Sequence, residues 1–399
     1  MQRLRFKHYH RWADNTLPWL LLLALFVGCS SSNKSSEDAQ SFDPNHDYFP
    51  EKISIDHAVG FDVAYHNNWK ELQIFRHYND FVDTVRFALV QKGTPKPKGY
   101  AKNRTVQVPV AQIGSMSTTH IGMFEMLNAL DNLKAVETAK YISSEKVHKL
   151  IEDQKVLELA PAGMLNTELA IASEIDVLLG VGYPNSQNDS YQELENAGIP
   201  VLLNADWQEF NLLGRAEWVK VLALLLNKEK EVNTAFSKIE SEYNEVLQLV
   251  ENKVEQGPMT ITGIAQGDAW FVAGGKSFGY HVLEIANVQY PWSNDKSTGS
   301  LKLDFETVYE FGLEADYWMV PGSAKSLSDI EQRDMRYTDF KSFRKQQIYN
   351  IYGRYTEGGG NDYYESGIVN PQVILKDVVR IFHPELLPDH ELVYYAQLQ

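Results

Sequence analysis

Hydrophobic and polar positions change their period several times along this chain. Arg3, Arg5, Lys7 and Arg11 precede an apolar run over residues 17–27, and a polar, serine-rich stretch follows Gly28 and Cys29. A run of about eleven residues is too short to span a bilayer, which takes about 20, and cations before such a run have the layout of an export signal. The stretch up to about residue 50 holds too few apolar side chains to order itself and is expected to be a flexible tether. A period of two then appears over residues 61–65, 69–75 and 84–90, around the turn His66-Asn67-Asn68. This alternation predicts antiparallel hairpin strands in a β-rich segment, residues 51–105. Gly93, Pro95, Pro97 and Gly99 break it, since such a loop suits neither helix nor ladder.

From residue 106 on, short apolar strands alternate with helical patterns. Residues 106–110 predict a strand, 114–120 a polar loop and 121–130 a helix with Phe124, Leu127 and Leu130 on one face. The order repeats as helix 144–151, strand 156–159, helix 166–173, strand 177–181, helix 190–197 and strand 201–203. Strands separated in this way argue for crossover units around a parallel sheet. Helix 212–226 is followed, after a break at Asn227, by a more polar helix from about Glu229 to Lys253. At 1.5 Å per residue this helix is about 37 Å long, too long for a crossover, and it is expected to connect two lobes. Beyond Gly257 and Pro258 the alternation resumes: strands 259–264 and 269–272, helices 277–285 and 305–311, strand 317–320, helix 326–343 and strand 348–352. A closing helix starts at Pro371, where proline suits the first turn. The expected fold class is α/β: two Rossmann-like lobes, residues 106–228 and 256–399, joined by a single long backbone helix within 229–255. A ligand cleft lies between the lobes, and an added N-terminal β-hairpin region precedes them.

With 44% hydrophobic residues among 399, the chain can bury a sizeable core in two or three units. Cys29 is its only cysteine, so it has no internal disulfide and no cysteine-based zinc or iron–sulfur site. A net charge of −16 repels phosphate backbones, and no basic stripe offsets it, so nucleic acid is not an expected partner. There is no Gly-x-Ser-x-Gly elbow, Walker motif, Gly-x-Gly-x-x-Gly or His-Glu-x-x-His, and no carboxylate spacing marks an acid/base pair. A secreted α/β hydrolase or glycosidase is therefore disfavoured and no catalytic residue is assigned. A surface lipoprotein that binds another protein is a further alternative.

Ligands of open α/β sheets bind beyond the carboxyl ends of strands. In the first lobe this rule selects Ser117, Thr118, Thr119, His120, Tyr183 and Trp207; in the second it selects Trp270, Trp292, Tyr352, Arg354 and Tyr355. Aromatic faces with a cation suit a large, flat or greasy ligand bearing acidic groups. Each aromatic could equally pack in the core or rim, and Trp218 and Trp318, inside apolar periodic segments, read as core. His120 could ligate a metal or simply donate a hydrogen bond. The other histidines are scattered, so no direct metal site is assigned.

The stretches Ser117-Thr-Thr-His-Ile121, Asn166 through Leu179, Leu303 through Tyr309 and Ala315 through Val320, taken in order, resemble the iron-siderophore and vitamin B12 periplasmic binding protein family. The similarity runs from about Val110 to the C-terminus. It implies an extracytoplasmic substrate-binding protein of an ABC importer, which passes a ferric siderophore or related iron complex, or alternatively a corrinoid or haem, to a permease dimer with its ATPase. It further implies a monomer without a resident cofactor. Pro291-Trp292 looks like a ligand-facing loop of the B12 binders, and Glu168 and Glu306 stand where each lobe of the family carries a glutamate that meets permease arginines. Either glutamate could also serve only the dipole of its own helix. Gly28-Cys29 resembles a bacterial lipoprotein signal, although Phe26 stands where leucine is usual. The resemblance implies removal of residues 1–28, acylation of Cys29 at the head of a tether 29–50, and anchoring on the periplasmic face of a membrane.

Overall fold

Alternation in the N-terminal part becomes a four-stranded sheet of Phe61–Tyr65, Trp69–Tyr78, Phe81–Gln91 and Thr105–Val108, in that spatial order. The computed structural model describes residues 42–78, 81–182 and 189–399. The signal, Cys29 and Tyr183 therefore lie outside the described residues. The first three strands are antiparallel, whereas Thr105–Val108 runs parallel to the third, with Val106 opposite Leu89. This corrects the reading of residues 106–110 as the opening strand of the first lobe. An apolar run states that it is buried but not which sheet buries it, and here Val106 and Val108 pack beside Leu89 in the N-terminal sheet.

The first lobe opens at Ile113–Ser115, the centre of a five-stranded parallel sheet ordered Leu157–Glu158, Leu133–Val136, Ile113–Ser115, Val177–Val181, Val201–Asn204. Leu133–Val136 is absent from the sequence reading, because Leu-Lys-Ala-Val is too short to show a period. Ser117, Ser144 and Asn166 start the helices Thr118–Met126, Glu145–Glu152 and Thr167–Ala172, each accepting a backbone N–H with its side chain. The expected helix 212–226 is two, Leu212–Glu217 and Val219–Leu226, meeting at the buried Trp218.

The long helix is Glu229–Lys253, with Val232, Phe236, Ile239, Tyr243, Val246 and Val250 buried along one stripe. Their spacing of three and four residues is the one-sided pattern of a packed helix. It leads into the second lobe, whose main sheet is ordered Thr260–Thr262, Tyr317–Met319, Ile348–Asn350, Ala396–Gln397. The first three strands are parallel and the last is antiparallel. A smaller antiparallel sheet joins Ala265–Gln266, Ala269–Ala273 and Ser300–Leu303. Between them lies an aromatic core in which Trp318 is 5.8 Å from Trp270 and 5.2 Å from Phe340, ring to ring. The expected helix 326–343 is broken into Leu327–Arg333, a tight turn Met335–Asp339, and Lys341–Arg344. The Asp334 side chain accepts from the Arg336 N–H and caps a new turn there, which stops the preceding helix. Pro371–Phe382 lies along the long helix, joined to it by Lys376 and Glu242 at 2.9 Å.

Residues 42–60 cross the surface without regular structure, yet their backbone is tied down. Glu217, fully buried, accepts the N–H groups of Asp56 at 3.0 Å, His57 at 2.7 Å and Ala58 at 2.7 Å, and pairs with Lys220 Nζ at 2.6 Å. Replacing Glu217 with Ala leaves these donors without an acceptor and the buried Lys220 ammonium without its counter-charge, with only the Ser54 carbonyl at 2.8 Å left to it, which should cost about 3–5 kcal/mol. The urea unfolding midpoint should fall accordingly; an unchanged midpoint would show that this carboxylate does not hold the segment.

Candidate ligand cleft

The carboxyl ends of the strands in both main sheets open toward one cleft. On the first lobe, Val201–Asn204 runs into the turn Asp206–Gln208, which presents Trp207, 39% exposed, with its Nε1 donating to the Gly182 carbonyl at 2.7 Å. Asn211 caps the next helix and brings Arg215 back over this turn. Arg215 donates through Nε to the Glu209 carbonyl at 3.1 Å and through Nη2 to the Trp207 carbonyl at 3.0 Å. Its guanidinium carbon lies 3.3 Å from the ring centroid of Phe278, which starts a helix of the second lobe. Cation–π contact thus bridges the lobes, and burial lowers the Arg215 pKa without discharging a guanidinium.

A cavity of about 690 Å³ lies between these walls, with Trp207, Phe210 and Arg215 on one side and Phe271, Lys276 and Phe278 on the other. A second arm of about 380 Å³ is lined by Thr118, Tyr141, Asn350, Tyr352, Tyr355 and Asn361. Val320, Ile351 and Tyr364 line both arms, so the two form one cleft. Val320 has φ 49°, in the left-handed region that a β-branched side chain resists. It is held there by its N–H to the Tyr349 carbonyl at 2.8 Å and by the Gly322 N–H to its own carbonyl at 2.8 Å. Such backbone costs on the order of 1–3 kcal/mol and concentrates at functional sites. Behind the first-lobe wall Asp206 is buried; burial raises its pKa, while Thr119 and Arg215 oppose the rise.

The profile of the periplasmic binding protein family matches residues 113–354. The chain belongs to that family. It is a solute-binding protein and not an enzyme. An uncharacterized lipoprotein of Methanocaldococcus jannaschii is 26% identical over 338 residues, which cover 80% of this chain and 78% of the relative. A second lipoprotein of that organism is 23% identical, covering 95% of this chain and 97% of its own length. Among solved structures, a possible iron-binding (periplasmic solute-binding) protein of Staphylococcus epidermidis superposes with TM-score 0.53 at 16% identity, covering 68% of this chain and 98% of that one. A periplasmic heme binding protein of Pseudomonas aeruginosa gives TM-score 0.51 at 14% identity, covering 69% and 93%. At these identities the structures speak for the fold alone, a two-lobed α/β binding protein.

The binding protein distributes the expected ligand residues unevenly. Trp207, Thr118, Tyr352 and Tyr355 line the cleft. His120 does not: it is 1% exposed, its Nδ1 lies 3.0 Å from Ser115 Oγ, and burial pushes its pKa down to about 3, so it is a neutral core histidine. Thr119 turns its hydroxyl to Ser117 Oγ at 3.0 Å, beside the helix start. Trp270 is fully buried and donates to the Thr262 carbonyl, while its neighbour Phe271 faces the cavity. A strand alternates sides, so an error of one residue exchanges core and cleft. Trp292 is half-buried between Tyr290 and Phe311, outside the lining of either arm. Arg354 is exposed and paired with Asp362 at 3.2 Å, also outside that lining. Arg215, Lys276, Phe210, Phe271, Phe278 and Tyr364 were missed. Of these, Lys276 and Phe278 stand three and five residues past the strand Ala269–Ala273, so extending the strand-end rule to that strand could have found them. Glu168 and Glu306 are exposed in the first turns of Thr167–Ala172 and Phe305–Gly312, one on each lobe, with Glu306 3.9 Å from Arg336.

The binding protein also closes its lobes through Glu365, which follows the turn Asp362–Tyr364 and accepts the N–H groups of Ser143 at 2.7 Å and Ser144 at 2.8 Å. Burial raises its pKa to about 7 from 4.5, with Asp362 and Glu125 adding to the rise and the two N–H groups opposing it. Lys146, 3.8 Å from Glu125, is a nearby cation. The folded chain holds a proton here that the unfolded chain gives up. The stability from Glu365 is therefore complete below about 4.5 and lost as pH rises through about 7. Glu365→Gln should flatten this slope between urea midpoints taken on either side of the window. Equal slopes in the two proteins would show that Glu365 ionises normally.

Proposed function

We propose that this chain is the extracytoplasmic binding component of an ABC importer, lipid-anchored through Cys29 on the periplasmic face of a membrane, and that it captures a ferric siderophore between its lobes. The carrying observation is the cavity of about 690 Å³ in which Arg215 and Lys276 stand among Trp207, Phe210, Phe271 and Phe278. Aromatic faces supply contact area to a broad chelate, and among the described residues two of the five Arg215 N–H groups are bound to carbonyls, leaving the others for acidic ligand groups. Haem and corrinoids meet the same chemistry and are the next candidates. Names of the similar proteins support the reading: iron-binding and heme-binding for two of the structures, lipoprotein for the two relatives. Both lobes come from one chain, which fits a monomer delivering its ligand to a permease dimer and its ATPase without a resident cofactor.

Titrating tryptophan fluorescence with ferric siderophores, cobalamin and haemin tests this. One ferric siderophore should quench saturably, Trp207→Phe should diminish the signal, and Arg215→Ala should weaken binding about five- to 150-fold, the equivalent of about 1 to 3 kcal/mol. Saturation by none of these chelates would reject the ligand class. In a deletion strain, Cys29→Ser should move the protein out of the membrane fraction. Changing Glu168 and Glu306 together to Ala should abolish uptake while ligand affinity is kept, since charge-assisted docking contacts lie outside the cleft. Full uptake by the double variant would leave both as ordinary first-turn glutamates.

A further inference from the structure

The family profile begins at residue 113, so the N-terminal sheet and the irregular segment before it lie outside the matched region. That segment nevertheless ends on the cleft wall. The N–H groups of Val59 and Gly60 donate to the Glu209 carboxylate at 3.0 and 2.9 Å, and Trp218 Nε1 donates to the same oxygen at 3.0 Å. Glu209 is 2% exposed, and its main-chain carbonyl receives Arg215 Nε. A continuous path runs from Gly60 through Glu209 to Arg215 and on to Phe278 of the other lobe. Little slack exists in it: a Cβ on Gly60 would sit 2.5 Å from the Trp218 ring and 3.0 Å from Glu209 Oε1. Phe61, the first residue of the N-terminal sheet, packs on the same Trp218 ring at 4.9 Å between centroids.

We propose that Glu209 is a positioning residue through which residues 59–60 of the N-terminal addition aim Arg215 at the acidic part of the ligand. The addition thereby belongs to the binding machinery. A carboxylate that accepts three N–H donors has one orientation, so the turn bearing the Trp207 and Glu209 carbonyls has one position, and the guanidinium that spans those carbonyls inherits it. The proposal rests on the cleft and ligand class argued above.

The test uses the mature full-length chain with Glu209→Ala, which removes the acceptor shared by Val59, Gly60 and Trp218, and Gly60→Ala, which presses on the same contact from the addition. Arg215→Ala is the direct comparison. Affinity for haemin, with its two carboxylates, is measured beside affinity for haemin dimethyl ester, which lacks the charges. Hydrogen exchange is followed on the ligand-free proteins. Both indirect variants should lose about tenfold or more in haemin affinity but less than about twofold for the ester. Exchange should quicken over residues 205–215 and stay slow over Glu229–Lys253. Equal loss of both probes would overturn the proposal by showing general damage to the fold, and so would unchanged haemin affinity beside a weakened Arg215→Ala. If the unaltered protein binds neither probe, haem fails as the ligand, and the siderophore reading stands or falls by its own titration. Exchange then tests the link from residues 59–60 to Arg215: faster exchange confined to 205–215 upholds that link, and unchanged exchange overturns the proposal.

Discussion

Buried carboxylates that accept runs of backbone N–H groups hold this protein together. Glu217 takes those of Asp56, His57 and Ala58, Glu209 those of Val59 and Gly60, Glu365 those of Ser143 and Ser144, and Asp377 those of Val393, Tyr394 and Tyr395. An irregular segment must find acceptors for its backbone donors, and a carboxyl side chain must find donors before it can be buried. Each requirement meets the other here. Neither a strand ladder nor a helix could do this, because the N–H groups concerned lie next to one another on segments with no regular partner.

These contacts decide where the lobes and the cleft lie. Glu365 joins the segment between the strand Ile348–Asn350 and the closing helix to the start of the helix Glu145–Glu152 of the first lobe. Asp377, fully buried in the closing helix, draws in the C-terminal tail, which then adds Ala396–Gln397 to the second sheet; His390 Nε2 meets the same carboxylate at 2.7 Å. The long helix Glu229–Lys253 supplies a straight spacer, packed along the closing helix and anchored at its start by Lys70, which is fully buried and 2.6 Å from Glu229. Burial lowers the Lys70 pKa to about 8 against the opposing pull of that carboxylate. The two sheets are consequently set with their carboxyl ends facing across a space wide enough for a bulky ligand.

The chemistry inside the cleft follows from that placement. Aromatic rings from both lobes provide broad apolar faces, and Arg215 reaches one of them from the opposite lobe. The left-handed Val320 at the shared floor is a local conformational cost accepted where two arms of the cleft meet. Most of the buried tryptophan and tyrosine elsewhere, above all the cluster around Trp318, serves to fill the second lobe and never reaches the ligand space.

Features carried by local period and local chemistry were legible along the chain. The three-and-four spacing from Val232 to Val250 marks one long helix with a face to bury, Pro371 opens the closing helix, and the order of strands and helices makes an α/β chain. The core tryptophans Trp218 and Trp318 were legible for the same reason, as was Trp207 after its strand. Only tertiary structure decided which sheet would take Thr105–Val108, since pairing partners are not local. It also decided that Phe271 and not Trp270 faces the cavity, because the parity of a strand depends on which side meets the core. Likewise it placed Arg215, beside Lys276, in the cleft and left Arg354 outside its lining. A guanidinium reads the same in any sequence; its direction comes from the carbonyls of Trp207 and Glu209, and their place comes from a segment about 150 residues earlier in the chain whose N–H groups had to be satisfied.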